Sequence, residues 1–102
     1  MTVGTSLSIN GVLIRLTEER WAHIIDSHPE LSSWYDTILI AVEDPDYILR
    51  GRHGTFAAVV HLGKNTFLHV FYVEKSRFDG FIVSARLQSR LDKAKIIWRK
   101  GS

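Results

Sequence analysis

The chain has 102 residues and a formal net charge of +2, with 45% hydrophobic and 24% charged side chains and no cysteine. This balance is typical of one folded domain over residues 1–102 and excludes a disordered chain. The lack of cysteine excludes disulfides, cysteine-ligated metals and thiol nucleophiles. No apolar run approaches the roughly 20 residues of a membrane helix, and the first ten residues lack a signal-peptide pattern. The expected location is therefore the cytoplasm.

Charge is distributed unevenly along the chain. Residues 17–46 carry eight acids and one base, whereas residues 75–100 carry eight bases and two acids. So basic a segment favours an anionic partner such as a phosphate backbone. Pairing between the acidic and basic segments, within one chain or in a dimer, explains the same distribution. Both interpretations stay open at this point.

The N-terminal part of the sequence predicts a hairpin followed by two helices. Apolar runs flank Asn10-Gly11, a dipeptide typical of tight hairpin turns. Thr17 has the character of a helix N-cap, with two glutamates following it in the first turn. Pro29 disfavours helical geometry at His28, so the first helix should end there. A second helix is expected over residues 33–43, closed by the Asp-Pro step that follows.

The remainder of the chain predicts strands. Runs rich in Val, Ile, Phe and Tyr occupy residues 47–50, 56–62, 66–73 and 81–88. Residues 93–100 fit either an edge strand or one helical turn. Helices followed by a strand meander predict an α+β fold, in which two N-terminal helices pack on one face of an antiparallel sheet of about four strands.

The two-residue period of a strand sorts side chains between the faces of this sheet. In the last main strand, Val83 falls on the core side, and Ser84 and Arg86 fall on the opposite side. The three-residue loop between the two middle strands places His61 and His69 on that opposite side as well. The cross-strand pairs it predicts are Val59 with His69 and His61 with Phe67. One open face is therefore expected to combine histidine, serine and arginine.

Several chemistries are disfavoured by the spacing of the polar residues. The five histidines form no HExxH pair, and His23 and His28 lie about 140° apart around a helix. Ser84 lacks the glycines of a nucleophile elbow, and no glycine-rich phosphate loop of a known type is present. We therefore expect no metal and no cofactor. Histidine, arginine and hydroxyl groups suffice for RNA cleavage, because the RNA 2′-hydroxyl supplies the nucleophile.

The segment LTEERWAHIIDSHPEL, residues 16–31, resembles the opening motif of phage and prophage nucleases of the barnase–EndoU–colicin–RelE-like (BECR) superfamily. The Asp-Pro-Asp step at residues 44–46 and the Ile-Val-Ser-Ala-Arg run at residues 82–86 extend this resemblance over about residues 14–98. The resemblance implies the α+β fold of that superfamily and a metal-independent, toxin-like endoribonuclease. RNA is then the expected partner, and an antitoxin or immunity protein is compatible with such a role.

The resemblance also assigns roles by motif position. It makes His23, His28, Ser84 and Arg86 the catalytic candidates, with Arg20 and Arg50 as supporting substrate-binding residues. The strand period, and not the motif, adds His61 and His69 as substrate-binding candidates, because they share the open face with Ser84 and Arg86. Solvation, helix capping and cross-strand packing would explain the same residues without any catalysis. Two other functions therefore stay open. One is a catalytically silent RNA- or protein-binding domain on the same fold, and the other is a structural or regulatory partner protein.

Overall fold

The computed structural model describes residues 1–101, which form one seven-stranded sheet and two helices. The strands are β1 (Thr2–Leu7), β2 (Leu13–Thr17), β3 (Tyr47–Arg50), β4 (Thr55–Gly63), β5 (Thr66–Glu74), β6 (Gly80–Gln88) and β7 (Ile96–Arg99). The helices are α1 (Glu18–Ser27) and α2 (Tyr35–Glu43), with single 3-10 turns at Pro29–Leu31 and Lys93–Lys95. The strand order across the sheet is β1-β2-β6-β5-β4-β3-β7.

The fold class expected from the sequence is wrong in the number and direction of the strands. The sheet is mixed, because β2 runs parallel to β6 while the other neighbouring pairs are antiparallel. The N-terminal hairpin and β7 extend the same sheet at opposite edges, which makes seven strands and not four. The parallel pair joins segments that are distant in the chain. Hydrophobic periodicity reports a strand but not its partner, so the pattern carried no signal for this pairing.

Helix α1 has the bounds that its capping residues predict. The Thr17 side-chain oxygen accepts a hydrogen bond from the Arg20 amide at 3.1 Å, and the chain leaves the helix at His28 before Pro29. Ile24 turns inward and is fully buried. Helix α2 begins at Tyr35, two residues later than expected. The intervening residues continue the 3-10 turn instead, and the Trp34 amide donates to the Leu31 carbonyl at 2.9 Å.

Both hairpins predicted from the sequence are present. Leu7 pairs with Leu13 across the Asn10-Gly11 turn, where Gly11 adopts a φ of 75°. The middle hairpin has the expected pairs Val59–His69 and His61–Phe67. The expected three-residue loop is wrong, because Gly63 pairs with Thr66 after a shift of register between His61 and Gly63, which leaves a two-residue turn. This register places the two histidines on the face that the sequence predicted.

A β-bulge in β6 corrects one expectation about the core. Ser84 pairs with Phe71 and Ile82 pairs with Tyr72, so Val83 is an extra residue in β6. Ile82 is fully buried, whereas Val83 is only half-buried. The prediction that Val83 belongs to the core is therefore wrong, because a bulge shifts the alternation by one residue.

The two faces of the sheet are covered differently. Both helices pack on one face over the main core, which includes Ile24, Ile38 and Val70. On the opposite face, which we call the open face, Leu49, Ala57 and Val59 form a smaller buried cluster. Residues 89–95, the crossover, run across the open face from β6 to β7 and pack Leu91 onto this cluster. None of the helices in residues 1–101 has the length and hydropathy needed to cross a bilayer.

Candidate functional site

An open depression of about 930 Å³, the main depression, lies on the open face. Phe71 and Arg86 form its floor, and its walls are the segment between β3 and β4 and the crossover. A smaller recess of about 360 Å³, the side recess, adjoins it. The lining of the side recess is His28, Arg52, His53, Thr55, Phe71, Val83, Ser84 and Arg86. Elements distant in the chain therefore meet at one place on the sheet.

The turn between β3 and β4 delivers Arg52 and His53 to the side recess. The Thr55 amide donates to the Arg52 carbonyl at 3.0 Å, and the Thr55 hydroxyl donates to the same oxygen at 2.6 Å. His53 and Gly54 have φ values of 56° and 77°, the left-handed pair of a type I′ turn. Asparagine is the usual first residue of that pair. A histidine held in this less favourable conformation is the kind of local strain that clusters at functional sites.

His28 reaches the side recess from the end of α1. It is the C-cap residue, and its amide donates to the Ile24 carbonyl at 2.8 Å. Its Nδ1 atom lies 3.7 Å from a carboxylate oxygen of Glu30. A carboxylate beside Nδ1 orients the ring and leaves Nε2 as the nitrogen that can exchange a proton. His28 therefore has the surroundings of a general base.

Arg86 lies at the junction of the two cavities and has no carboxylate within ion-pair distance in residues 1–101. Its guanidinium sits 5.1 Å from the centre of the Phe71 ring. Gln88, on the same face of β6, accepts from Arg86 Nη2 at 2.9 Å when its amide oxygen is turned toward the guanidinium. The Phe71 ring and the Gln88 amide hold the Arg86 side chain in place, and neither neutralises its charge. Arg86 is therefore available to bind an anion.

His69 lies opposite Arg86 on β5 and is only 4% exposed. Burial lowers the pKa of His69 below its ordinary value, and the positive charge of Arg86 lowers it further. A hydrogen-bond contact at 3.4 Å between Nδ1 and the Phe67 carbonyl oxygen partly opposes this shift. His69 is consequently neutral at pH 7 and serves as part of the floor under Arg86.

The main depression is strongly basic. Its lining includes six cations, Arg50, Arg52, Arg86, Arg90, Lys93 and Lys95, and one acid, Asp92. Asp92 lies 3.8 Å from Lys95 and also caps the Ala94 amide. Among the ion pairs in residues 1–101, only Lys100–Asp44 at 3.0 Å joins the acidic segment 17–46 to the basic segment 75–100. Pairing within the chain thus leaves most of the basic charge facing solvent.

The structure brings together some of the site residues predicted from the sequence and separates others. His28, Ser84 and Arg86 meet in the side recess, and Arg50, His69 and Arg86 line the main depression. His23 is exposed on α1, and Arg20 is half-buried on the same helix. Neither of these two residues lines either cavity. His61 lines a separate depression at the other end of the open face.

Sequence reasoning missed Arg52 and His53, and it included Arg90 and Lys93 only as members of the basic segment 75–100. The Gly51–Gly54 stretch is too short to resemble a phosphate loop, so its length and glycines predict no function for Arg52 and His53. A His-Gly dipeptide between two strands, in the place where Asn-Gly is usual, was the available signal for His53. Arg90 and Lys93 lie in the crossover, whose irregular backbone has no period that could place them.

Within the part of the chain that the structure describes, no three His, Asp or Glu side chains are grouped so as to hold a metal ion. No family model, curated protein or solved structure matches this chain.

Proposed function

We propose that this protein is an endoribonuclease that cleaves RNA by attack of a ribose 2′-hydroxyl on the adjacent phosphate. The observation that carries the proposal is the side recess, which joins His28, His53, Ser84 and an unneutralised Arg86. Two histidines, a hydroxyl and a guanidinium are the groups that this reaction needs from a protein.

In the proposed reaction, neutral His28 takes the proton of the 2′-hydroxyl, and Glu30 stabilises the imidazolium that forms. The 2′-oxygen bonds to phosphorus, and the bond from phosphorus to the 5′-oxygen breaks. Protonated His53 gives its proton to the departing 5′-oxygen. The products are a 2′,3′-cyclic phosphate and a 5′-hydroxyl, and proton exchange with water returns both histidines to their starting states.

Arg86 is placed to stabilise the charge that develops on the phosphorane. Arg52 lines the same recess and adds a second cation. The Ser84 hydroxyl can donate to a phosphate oxygen from the sheet side. Guanidinium groups suit this task because they donate two parallel hydrogen bonds to one phosphate.

The main depression supplies the binding surface in this proposal. Arg50, Arg90 and Lys93 have no carboxylate partner within ion-pair distance in residues 1–101 and line the same depression as Arg86. Phosphate contacts of this kind position a strand without reading its sequence. The resemblance of residues 16–31 to the BECR nucleases supports the same activity. The same resemblance extends the proposal to a toxin-like, phage-derived role in the cytoplasm. An antitoxin or immunity protein would then oppose the enzyme.

The test is digestion of RNA in EDTA, with the cyclic phosphate product identified by mass spectrometry. His28→Ala and His53→Asn should each slow cleavage by about 10²- to 10⁴-fold, because each removes one acid–base group. Asparagine suits the left-handed position of His53, so His53→Asn keeps the turn intact. Arg86→Lys should also slow cleavage, since lysine lacks the two-pronged grip on phosphate.

His23→Ala is the matched control, because His23 is an exposed histidine outside both cavities. It should cleave at the wild-type rate. Full activity in both His28→Ala and His53→Asn, or loss of wild-type activity in EDTA, would contradict the mechanism. RNA binding without any cleavage would favour the silent binding domain, and absence of both would favour the structural or regulatory role.

A further inference from the structure

A second depression of about 500 Å³, the distal depression, opens at the other end of the open face. It is lined by Asp46, Tyr47, His61, Arg99 and Lys100. Tyr47 and Phe67, which lies directly opposite His61, both pack against the small cluster of the open face. The distal depression therefore faces the same side of the sheet as the main depression. The proposed cleavage chemistry makes no use of it.

Two aromatic rings, His61 and Tyr47, line the distal depression beside three charged side chains. The His61 ring stacks on Phe67, with the ring centres 4.4 Å apart and the planes 17° from parallel. His61 is exposed on the surface, so its stacked ring is held in a fixed orientation where solvent can reach it. Arg99 lies 5.8 Å from the centre of the Tyr47 ring. Fixed, exposed aromatic rings beside arginine are the usual platform for the bases of a single strand.

The charges of the distal depression suit a nucleotide better than a lone phosphate. Asp46 accepts the His61 amide at 2.8 Å, and Lys100 is paired with Asp44 at 3.0 Å. Arg99 has no carboxylate within ion-pair distance in residues 1–101 and can meet a phosphate. Asp46 offers acceptor oxygens that suit the N–H groups of a base and would repel a phosphate. A base against His61 and a phosphate against Arg99 satisfy both sets of groups.

The distance between the two ends of the open face suits one continuous strand. Thr55 lines the main depression and His61 lines the distal one, six residues apart along β4. At about 3.3 Å per residue this is about 20 Å. A stacked strand rises about 3.4 Å per nucleotide, so at least about six stacked nucleotides span that distance. The strand would pass over the crossover, because Leu91 packs on the small cluster that lies between the two depressions.

We propose that the distal depression is a nucleotide subsite, in which a base of the same single strand stacks on His61 several nucleotides away from the scissile phosphate. This inference rests on the proposed function for the identity of the ligand as RNA. It adds that the substrate is single-stranded and that affinity depends on its length, because only a strand of sufficient length occupies both depressions.

The test measures binding by fluorescence anisotropy with 2′-O-methyl oligonucleotides of about three and about ten nucleotides. These probes lack the nucleophile, so binding is measured whether or not the protein cleaves RNA. The double variant His61→Ala/Arg99→Ala should weaken binding of the longer probe by about 5- to 100-fold, the range expected when one base loses its stacking partner. Binding of the three-nucleotide probe should stay unchanged.

The matched control is His23→Ala/Arg77→Ala, which removes one exposed histidine and one exposed arginine outside all three cavities. It should bind both probes like the wild type. Equal weakening of both probes, or wild-type binding of the longer probe by the first variant, would overturn the subsite. A wild-type protein that shows length-dependent binding at His61 and cleaves no RNA would retain the subsite and reject the nuclease.

Discussion

Arg86 and His69 are cross-strand neighbours, but Arg86 is charged and His69 is neutral. The guanidinium of arginine is positively charged throughout the physiological pH range. The imidazole of His69 is buried, and its pKa is lowered, so it remains neutral beside the guanidinium. A second cation at this place would repel Arg86 and lose its own hydration. Because His69 is neutral, it can pack beside Arg86 without repelling the guanidinium.

The lowered pKa of His69 predicts a fall in stability on acidification. Between the ordinary value of 6.5 and the lower value in the folded protein, the unfolded chain binds a proton that the folded chain does not. The free energy of unfolding should therefore decrease as pH falls below about 6.5 and stop decreasing, for this group, below the folded pKa. Urea denaturation between pH 8 and pH 5 measures this dependence.

His69→Leu should remove this part of the pH dependence, whatever its effect on absolute stability. His61→Gln, at an exposed histidine, serves as the control and should retain the wild-type slope. Identical slopes for the wild type and His69→Leu would show that His69 does not carry the effect.

At the scale of the elements, the junction of β2, β5 and β6 positions the polar face of β6. The parallel contact is short, from Ile14–Gly80 to Arg15–Phe81, and Gly80 also pairs with Glu74 at the end of β5. An added Cβ at Gly80 would meet the Val73 carbonyl oxygen and lie 2.7 Å from Ile14 Cδ1. Glycine is therefore needed at this position for close approach of the backbones and not for an unusual φ.

We predict that Gly80→Ala lowers the free energy of unfolding by about 1–3 kcal/mol, because backbone and a buried side chain must both shift. Gly63→Ala is the control, since an added Cβ there meets no atom within 4 Å. Chemical denaturation of the two variants gives the comparison. Equal stabilities of Gly80→Ala and Gly63→Ala would contradict the close packing at this junction.

At the scale of the whole molecule, one face of the sheet packs against the helices and the other face carries the basic depression. The helices bury the apolar face of the strands, and the crossover covers only part of the opposite face. The six cations around the main depression come from β3, β6, the turn after β3 and the crossover. A concave surface of one sign concentrates an anionic ligand and raises its rate of association.

The salt dependence of RNA binding should identify which cations contact phosphate. Each phosphate contact with a single strand contributes about 0.7 to the slope of log affinity against log salt concentration. Lys93→Ala should reduce that slope by about this amount. Lys95→Ala should reduce it less, because Asp92 lies 3.8 Å from Lys95 and already offsets part of its charge. Titrations at several salt concentrations test the order, and equal slopes for the wild type and Lys93→Ala would assign Lys93 to solvent.

The local sequence determined those features that depend on short-range interactions. Thr17 and Pro29 set the ends of α1 through capping and backbone restriction, and both act within a few residues. The short loop between β4 and β5 fixed their register, which places His61 and His69 on one face. These features were predictable because each depends on neighbours in the chain.

Only the tertiary structure decided which distant segments meet. The parallel pairing of β2 with β6 and the bulge at Val83 depend on contacts between remote segments, which periodicity does not report. The same long-range packing brings His28 and His53 to Ser84 and Arg86 and leaves His23 outside. Residue types and spacing therefore suggested the chemistry. Which residues meet at the site depends on loop closure and on packing. The free energies of both depend on the whole chain and not on local sequence.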